Sequence, residues 1–412
     1  MATFKAFKAF RPTKENEALI PAPPYDVMNS EEAREMVKGN PLSFLHVDKA
    51  EIDLPFETDH YSQQVYDKAR ENLLALESSG ALVQDEKPCL YIYRQVMKGR
   101  AQTGLVGCAS IDDYLGNVIK KHEFTLAKKE QDRIRHVDAC DANTGPIFLT
   151  YRDSSEITAT VNNWIRSHKS TYDFKHGNVY HTVWVIDDDD VIASLEKAFE
   201  SVSSLYIADG HHRCASAVKV GEMRRRANPD YTGNEEFNYF LAIAYPDTQL
   251  EIMDYNRVVR DLNGLDFNEF LLKVKKKFDI SPLSGAVSPD RKHTFSMFYD
   301  GRWYKLTAKN GIFDENNPVE QLDVSILQNN LLAPILGIEN PKTDERIDFI
   351  GGIRGLEELE RRATSDMVIA FAMHPTTVED LMSIADAGCI MPPKSTWFEP
   401  KPLSGIFIHH FS

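Results

Sequence analysis

Cysteine is scarce and scattered in this chain. The 412 residues contain five, Cys89, Cys108, Cys140, Cys214 and Cys389, with no C-x-x-C pair. That pattern excludes a disulfide framework and a cysteine zinc cage, and it predicts a reducing, cytoplasmic setting. Long apolar runs are missing too. Stretches such as Phe240–Tyr245 fall far short of a membrane span, and Met1–Arg11 lacks the apolar segment of a signal peptide. Base is short relative to acid, 47 against 62 for a net charge of −15, which argues against general nucleic-acid binding. A local basic pocket for a small anion is compatible with that balance. Internal repeats and low-complexity tracts are absent. So are the dinucleotide G-x-G-x-x-G, the hydrolase G-x-S-x-G and the protein-kinase signature set.

Against those absences stands a composition that is 42% apolar and 26% charged, that of a globular protein too long for one ordinary core. Val65, Ala69, Leu73 and Leu76 recur at helical spacing before Gly80. Apolar runs at Cys89–Val96, Gly104–Ser110, Asn117–Lys121, Tyr180–Ile186 and Phe237–Tyr245 read as strands, with a helix over Val191–Phe199 between the last two. Met1–Arg11 alternates Phe with Lys or Ala and reads as a first strand. Beyond about Asn263 the pattern predicts a Lys-rich helix over Phe267–Phe278 and a hairpin across Asp300-Gly301. Helices follow at Leu322–Leu336, Leu356–Ala363 and Val378–Ala387, around a strand at Met367–Ala372. The expected class is α+β, divided into residues 1–262 and 263–412.

The sharpest chemistry lies at Leu205-Tyr-Ile-Ala-Asp209-Gly210-His211-His212-Arg213. An apolar strand turns through Asp-Gly into a helix, so free amides and the helix dipole meet two imidazoles and a guanidinium. Asp209 is placed to accept a proton. Zinc is disfavoured, since adjacent histidines rarely reach one metal. Second is His122-Glu123, where a strand end offers a carboxylate for Mg²⁺ or for an incoming hydroxyl. Third, Lys128–His136 reads as a solvated helix in which Arg133 and Arg135 are candidate phosphate clamps. Fourth, Lys394-Ser395-Thr396 lies in a proline-stiffened loop and is expected to close over a site or interface. No G-x-x-x-x-G precedes it, so it is no P-loop.

The Asp209–Arg213 turn after a Tyr-Ile-Ala strand resembles the signature turn of the ParB/sulfiredoxin-like nucleotide-binding superfamily, which includes the free-serine kinases. The whole chain resembles a bacterial family of unknown function loosely called ParB-like, on Pro23-Pro-Tyr-Asp-Val27, His122-Glu123, Tyr206–Arg213, Tyr255-Asn-Arg-Val-Val259 and Met391-Pro-Pro-Lys-Ser-Thr396. The resemblance implies a mixed-sheet core with α/β extensions at both ends and a terminal loop that returns to the site. It implies Asp209 as catalytic base or metal-proximal carboxylate, and Gly210, His211, His212 and Arg213 on the nucleotide's phosphates; Glu123, with His122 beside it, is the candidate for the second acid that the serine kinases use. Arg133, Lys394, Ser395 and Thr396 are the further phosphate candidates. The implied cofactors are ATP or ADP with Mg²⁺, held by no dedicated protein metal cage. The implied activity is transfer to a small hydroxylated metabolite, free L-serine first, with a homodimer as the candidate assembly. Two alternatives stand: a non-catalytic nucleotide-binding regulator and a phosphate-ester hydrolase. Sulfiredoxin chemistry is disfavoured, because Asp209 and histidines stand where its thiol belongs and Cys214 reads as a core thiol.

Overall fold

A computed structural model describes residues 1–412. The chain forms two compact units, Met1–Leu250 with Pro400–Ser412, and Glu251–Glu399. Twelve α-helices and two large sheets, the first of them mixed, make it a mixed α/β protein. The change of character expected near Asn263 lies within the second unit. Tyr255–Val259, before it, already pairs into that unit's sheet.

The first unit is built on nine strands: β1 (Phe4–Lys5), β2 (Leu90–Met97), β3 (Arg100–Ser110), β4 (Ile119–Lys120), β5 (Ile147–Tyr151), β6 (Tyr172–His176), β7 (Val179–Ile186), β8 (Leu205–Asp209) and β9 (Tyr239–Pro246). Their order is β4-β8-β5-β9-β3-β2-β7-β6, with β1 added beside β3. The β4–β8 and β5–β9 pairs are parallel and the others antiparallel. The apolar run of β9 is buried from Phe240 to Pro246, as an unbroken run covered on both faces requires. Leu90, Ile92, Leu105, Ile147, Leu149, Ile207 and Phe240 share one core cluster. Glycine is needed at 107, where an added Cβ would lie 2.6 Å from the Phe4 ring. The expected first strand is split into Phe4–Lys5 and Phe10–Pro12.

Three helices matter for the site. In α1 (Gln63–Ser78) the expected stripe of Val65, Ala69, Leu73 and Leu76 is buried, and Gly80 ends it at φ +75°. The second, α2 (Ala127–Cys140), buries only His136, Val137 and Cys140, so its charged residues lie on a partly solvated face. The third, α3 (His211–Ala227), buries Cys214, Ala217, Val218 and Val220. Burial pushes the Cys214 thiol up, which suits an inert core group. All five cysteines are unpaired. The closing segment 400–412 buries Ile406, Phe407 and Ile408 completely. Its His409–His410 pairs with Asn143 and Ala142, and Ile408 exchanges two 3.0 Å backbone hydrogen bonds with Phe10.

The second unit holds a six-stranded antiparallel sheet: β10 (Tyr255–Val259), β11 (Phe278–Leu283), β12 (Thr294–Tyr299), β13 (Arg302–Ala308), β14 (Ile347–Gly351) and β15 (Ile369–Met373). The order is β11-β13-β12-β15-β10-β14. Tyr299 pairs with Arg302 around Asp300 and Gly301, both at positive φ, which is the expected two-residue hairpin. The helix expected to reach Phe278 stops at Val274, because Phe278 is buried as the first residue of β11, opposite Ala308. The helix expected over Leu322–Leu336 is an α turn at Asp323–Leu327 that widens into a π turn at Gln328–Leu332.

Candidate functional site

Strand β8 delivers Asp209 to the edge of the core. The β8–β5 register shifts between Ile207 and Asp209, an irregularity that re-aims a strand's last side chain. Gly210 follows in the left-handed region, φ 88° and ψ 32°, and α3 begins at once. A Cβ at Gly210 would come within 3.1–3.4 Å of the Arg213 guanidinium, so glycine serves both the turn and the close approach. The helix start has neither a side-chain cap nor an acid in its first turn. Its first amides and positive dipole end therefore meet no side-chain acid from the helix's own first turn.

Two cations hold the Asp209 carboxylate. Lys401 Nζ donates to Oδ1 at 2.6 Å and Arg213 Nη2 donates to Oδ2 at 3.3 Å. Burial pushes the carboxyl up, but Lys401 and Arg213 outweigh it and hold Asp209 below the usual carboxylate range. Burial pulls the Lys401 ammonium down, and the nearby Asp209 and Asp26 reverse this and raise it. Arg213 also donates from Nη1 to the Pro146 carbonyl at 2.7 Å, while its buried Nε has no partner.

The imidazoles gather at the same turn. The rings of His122 and His211 meet edge to face at 4.5 Å, and Glu123 Oε2 lies 4.0 Å from His211 Nδ1. His122 and His211 are 2% and 6% exposed. Both ring nitrogens of His122 and Nε2 of His211 lack hydrogen-bond partners. Burial, reinforced by neighbouring positive groups, drives His211 down to about 3, and burial drives His122 well below its ordinary value. Both rings are therefore neutral at pH 7. His212 is used differently: its Nε2 accepts the Leu126 backbone N–H at 3.0 Å, at the start of α2.

Arg133 reaches the same neighbourhood from α2. It donates to Asp132 at 2.9 Å and lies over the Tyr25 ring at 4.1 Å. Burial pushes the Tyr25 phenol up to about 12, partly offset by Arg133. Arg133, Arg213, Tyr25, Asp48 and Thr144 line one cavity of ≈ 20 Å³, room for about one water. A nucleotide does not fit within that cavity, which reaches Arg213 but not Asp209 or Lys401.

The sequence-derived candidates thus divide. Asp209, Gly210, His211, His212 and Arg213 form the turn, His122 and Glu123 join it through His211, and Arg133 shares a cavity with Arg213. Lys394, Ser395 and Thr396 belong to the second unit. There Arg257 donates to the Lys394 carbonyl, Ser395 donates to Pro392, and Thr376 donates to the Ser395 carbonyl. Lys401 and Tyr25 were missed. Lys401 shares its proline-stiffened loop with Lys394, and nothing local distinguishes the two. Tyr25 lies in the Pro23–Val27 stretch, where no neighbouring residue type signals chemistry.

No group of three or more His, Cys, Asp or Glu side chains is placed to hold a metal ion by itself, and Asp209 already faces two cations. A Mg²⁺ ion would therefore depend on nucleotide phosphates for most of its ligands. No helix is long and apolar enough to cross a membrane.

Known proteins offer a family and distant folds. No curated protein matches the chain. Among solved structures it is similar to a free serine kinase in complex with AMP, at 13% identity over 73% of this chain and 91% of the other, TM-score 0.38. It is similar to SbnI with a C-terminal truncation from Staphylococcus aureus, at 10% identity over 73% and 85%, TM-score 0.40. A conserved hypothetical protein from Pyrococcus furiosus gives 12% identity over 73% and 94%, TM-score 0.36. Likenesses at that level transfer no residue roles. The family described as a protein of unknown function, DUF1015, matches residues 4–325, most of the chain, and the protein belongs to that family.

Proposed function

We propose that the Asp209–Arg213 turn binds the phosphates of a nucleotide and that the protein is a phosphotransferase for a small hydroxylated metabolite, free L-serine first. One observation carries the reading. An uncapped helix start stands among four buried nitrogens without partners, on His122, His211 and Arg213, beside an ionised carboxylate. Buried donors and acceptors left unpaired are costly, and a phosphate meeting the amides, Arg213 and Lys401 would satisfy several at once. The distant likeness to nucleotide-bound serine kinases agrees with this reading without supporting it residue by residue.

The ion cluster shapes the chemistry. Paired with two cations, Asp209 is a poor base. A phosphate that takes over Lys401 and Arg213 would leave the carboxylate buried with fewer counter-charges and so more basic. The acceptor hydroxyl would then attack the terminal phosphorus, the bond to the departing nucleotide phosphate would break, and the hydroxyl proton would pass to Asp209 or Glu123. No step is assigned to Mg²⁺.

The test is incubation of the purified protein with ATP or ADP and serine, with and without added Mg²⁺. Phosphoserine no higher than in Asp209→Asn removes the serine assignment. A second reading, a nucleotide-binding regulator without turnover, is favoured by the doubly paired Asp209, which is a poor base. Nucleotide-dependent thermal stabilisation with no turnover across hydroxylated metabolites would select it.

A further inference from the structure

We propose that the second unit contains a separate binding pocket for a small organic monocarboxylate, anchored by Arg257. Strand β10 buries this residue to 4% exposure. Its Nη1 donates to the Tyr255 carbonyl and its Nη2 to the Lys394 carbonyl at 2.9 Å. Neither is an acid, and no carboxylate lies within ion-pair distance. Burial pulls the guanidinium down to about 10, slightly opposed by Tyr255. A buried cation without a counter-charge is costly unless something supplies one.

The space to supply it adjoins Arg257. A cavity of ≈ 350 Å³ lies against the residue, within the size range of small-molecule sites. Phe349, under the guanidinium at 5.3 Å, and Pro392 give it apolar wall. The amides of Gln328 and Asn329 come from the π turn, a local widening of helix that is frequent at functional sites. Two sequence landmarks that the phosphate turn left unexplained, Tyr255–Val259 and Met391–Thr396, therefore meet at one cavity. The fork of Arg257 suits a carboxylate. Glu339 on the wall opposes a polyanion, while exposed Lys342 keeps the lining net positive. The expected ligand is thus singly charged, with an apolar or hydroxylated body.

Isothermal titration of the full chain with 3-hydroxybutyrate and benzoate, each against its neutral amide, tests this. At least one acid should bind saturably and at least tenfold more tightly than its amide. That binding should weaken at least tenfold in Arg257→Gln and in Asn329→Trp, and stay unchanged in Asp209→Asn. Asn329 is exposed, so Asn329→Trp obstructs the cavity without threatening the fold, even where Arg257→Gln misfolds. Absence of saturable binding by either acid, equal affinity for acid and amide, or wild-type affinity in Asn329→Trp overturns the proposal.

Discussion

Arg213 and Arg257 each stand beside a cavity, and they differ in what they already hold. Arg213 shares Asp209 with Lys401, and its cavity is ≈ 20 Å³. Arg257 has only carbonyl partners, and its cavity is ≈ 350 Å³. The first corner is an internal ion cluster, and a ligand that used Lys401 or Arg213 would compete for it with Asp209. The second is preformed, and a ligand would enter it without displacing an acid. Affinity at the first is set by what is broken, and at the second by what is filled.

The largest effect that would sharpen this contrast is on turnover. Asp209→Asn should lower phosphotransfer by about 10²–10⁴-fold, read as phosphoserine formed per unit time. Lys401→Met should destabilise the first unit by about 3–5 kcal/mol in denaturant titration, because it leaves a mostly buried carboxylate with one weaker partner. Adding Asp209→Asn to Lys401→Met should restore part of that loss. A loss below about 1 kcal/mol would make the pair an ordinary surface one and break the comparison.

Acid should act next. His211, lowered to about 3, and His122, lowered well below its ordinary value, both chiefly by burial, are neutral when folded and regain ordinary imidazole behaviour when unfolded. Below about pH 6.5 the unfolded chain binds protons that the folded one does not. Stability should therefore fall as pH drops from 6.5 toward 3, by up to about 1.4 kcal/mol per pH unit for each ring. Asp209, held low, adds to the loss only at the acid end of that range. A phosphate at the turn should flatten the slope, which pH-dependent melting with and without inorganic phosphate would show. The smallest effect is expected of Gly210→Ala, about 1–3 kcal/mol from the positive φ and the nearby guanidinium, with nucleotide affinity falling alongside.

Much of this was legible in the sequence. The run Phe237–Tyr245 reads as a buried strand, and the strand runs from Tyr239 to Pro246 after a short turn at Glu236–Asn238; Asp-Gly after an apolar stretch marked the turn and helix start. Periodicity also placed α1 and the Asp300-Gly301 hairpin, because local rules decide such elements. Long-range partnerships were not legible. Lys394 and Lys401 look alike in a proline-rich loop, yet the fold gives the first unit only Lys401. Tyr255–Val259 and Ile347–Gly351 are short, and pairing across the second sheet makes them strands. The end of the helix at Val274 was hidden by a periodicity that runs on to Phe278, whose burial in β11 overrides it.

Since residues 400–412 supply both Lys401 and the strand that closes on Asn143, the first unit stays incomplete during synthesis until the ribosome has made everything from 251 to 399. The intervening segment has time to fold by itself first, so the ion cluster around Asp209 should be among the last features to form. Pulse-labelled hydrogen exchange during refolding should find the Phe10–Ile408 hydrogen bonds, which tie the closing segment to the first unit, protected after β12 and β13.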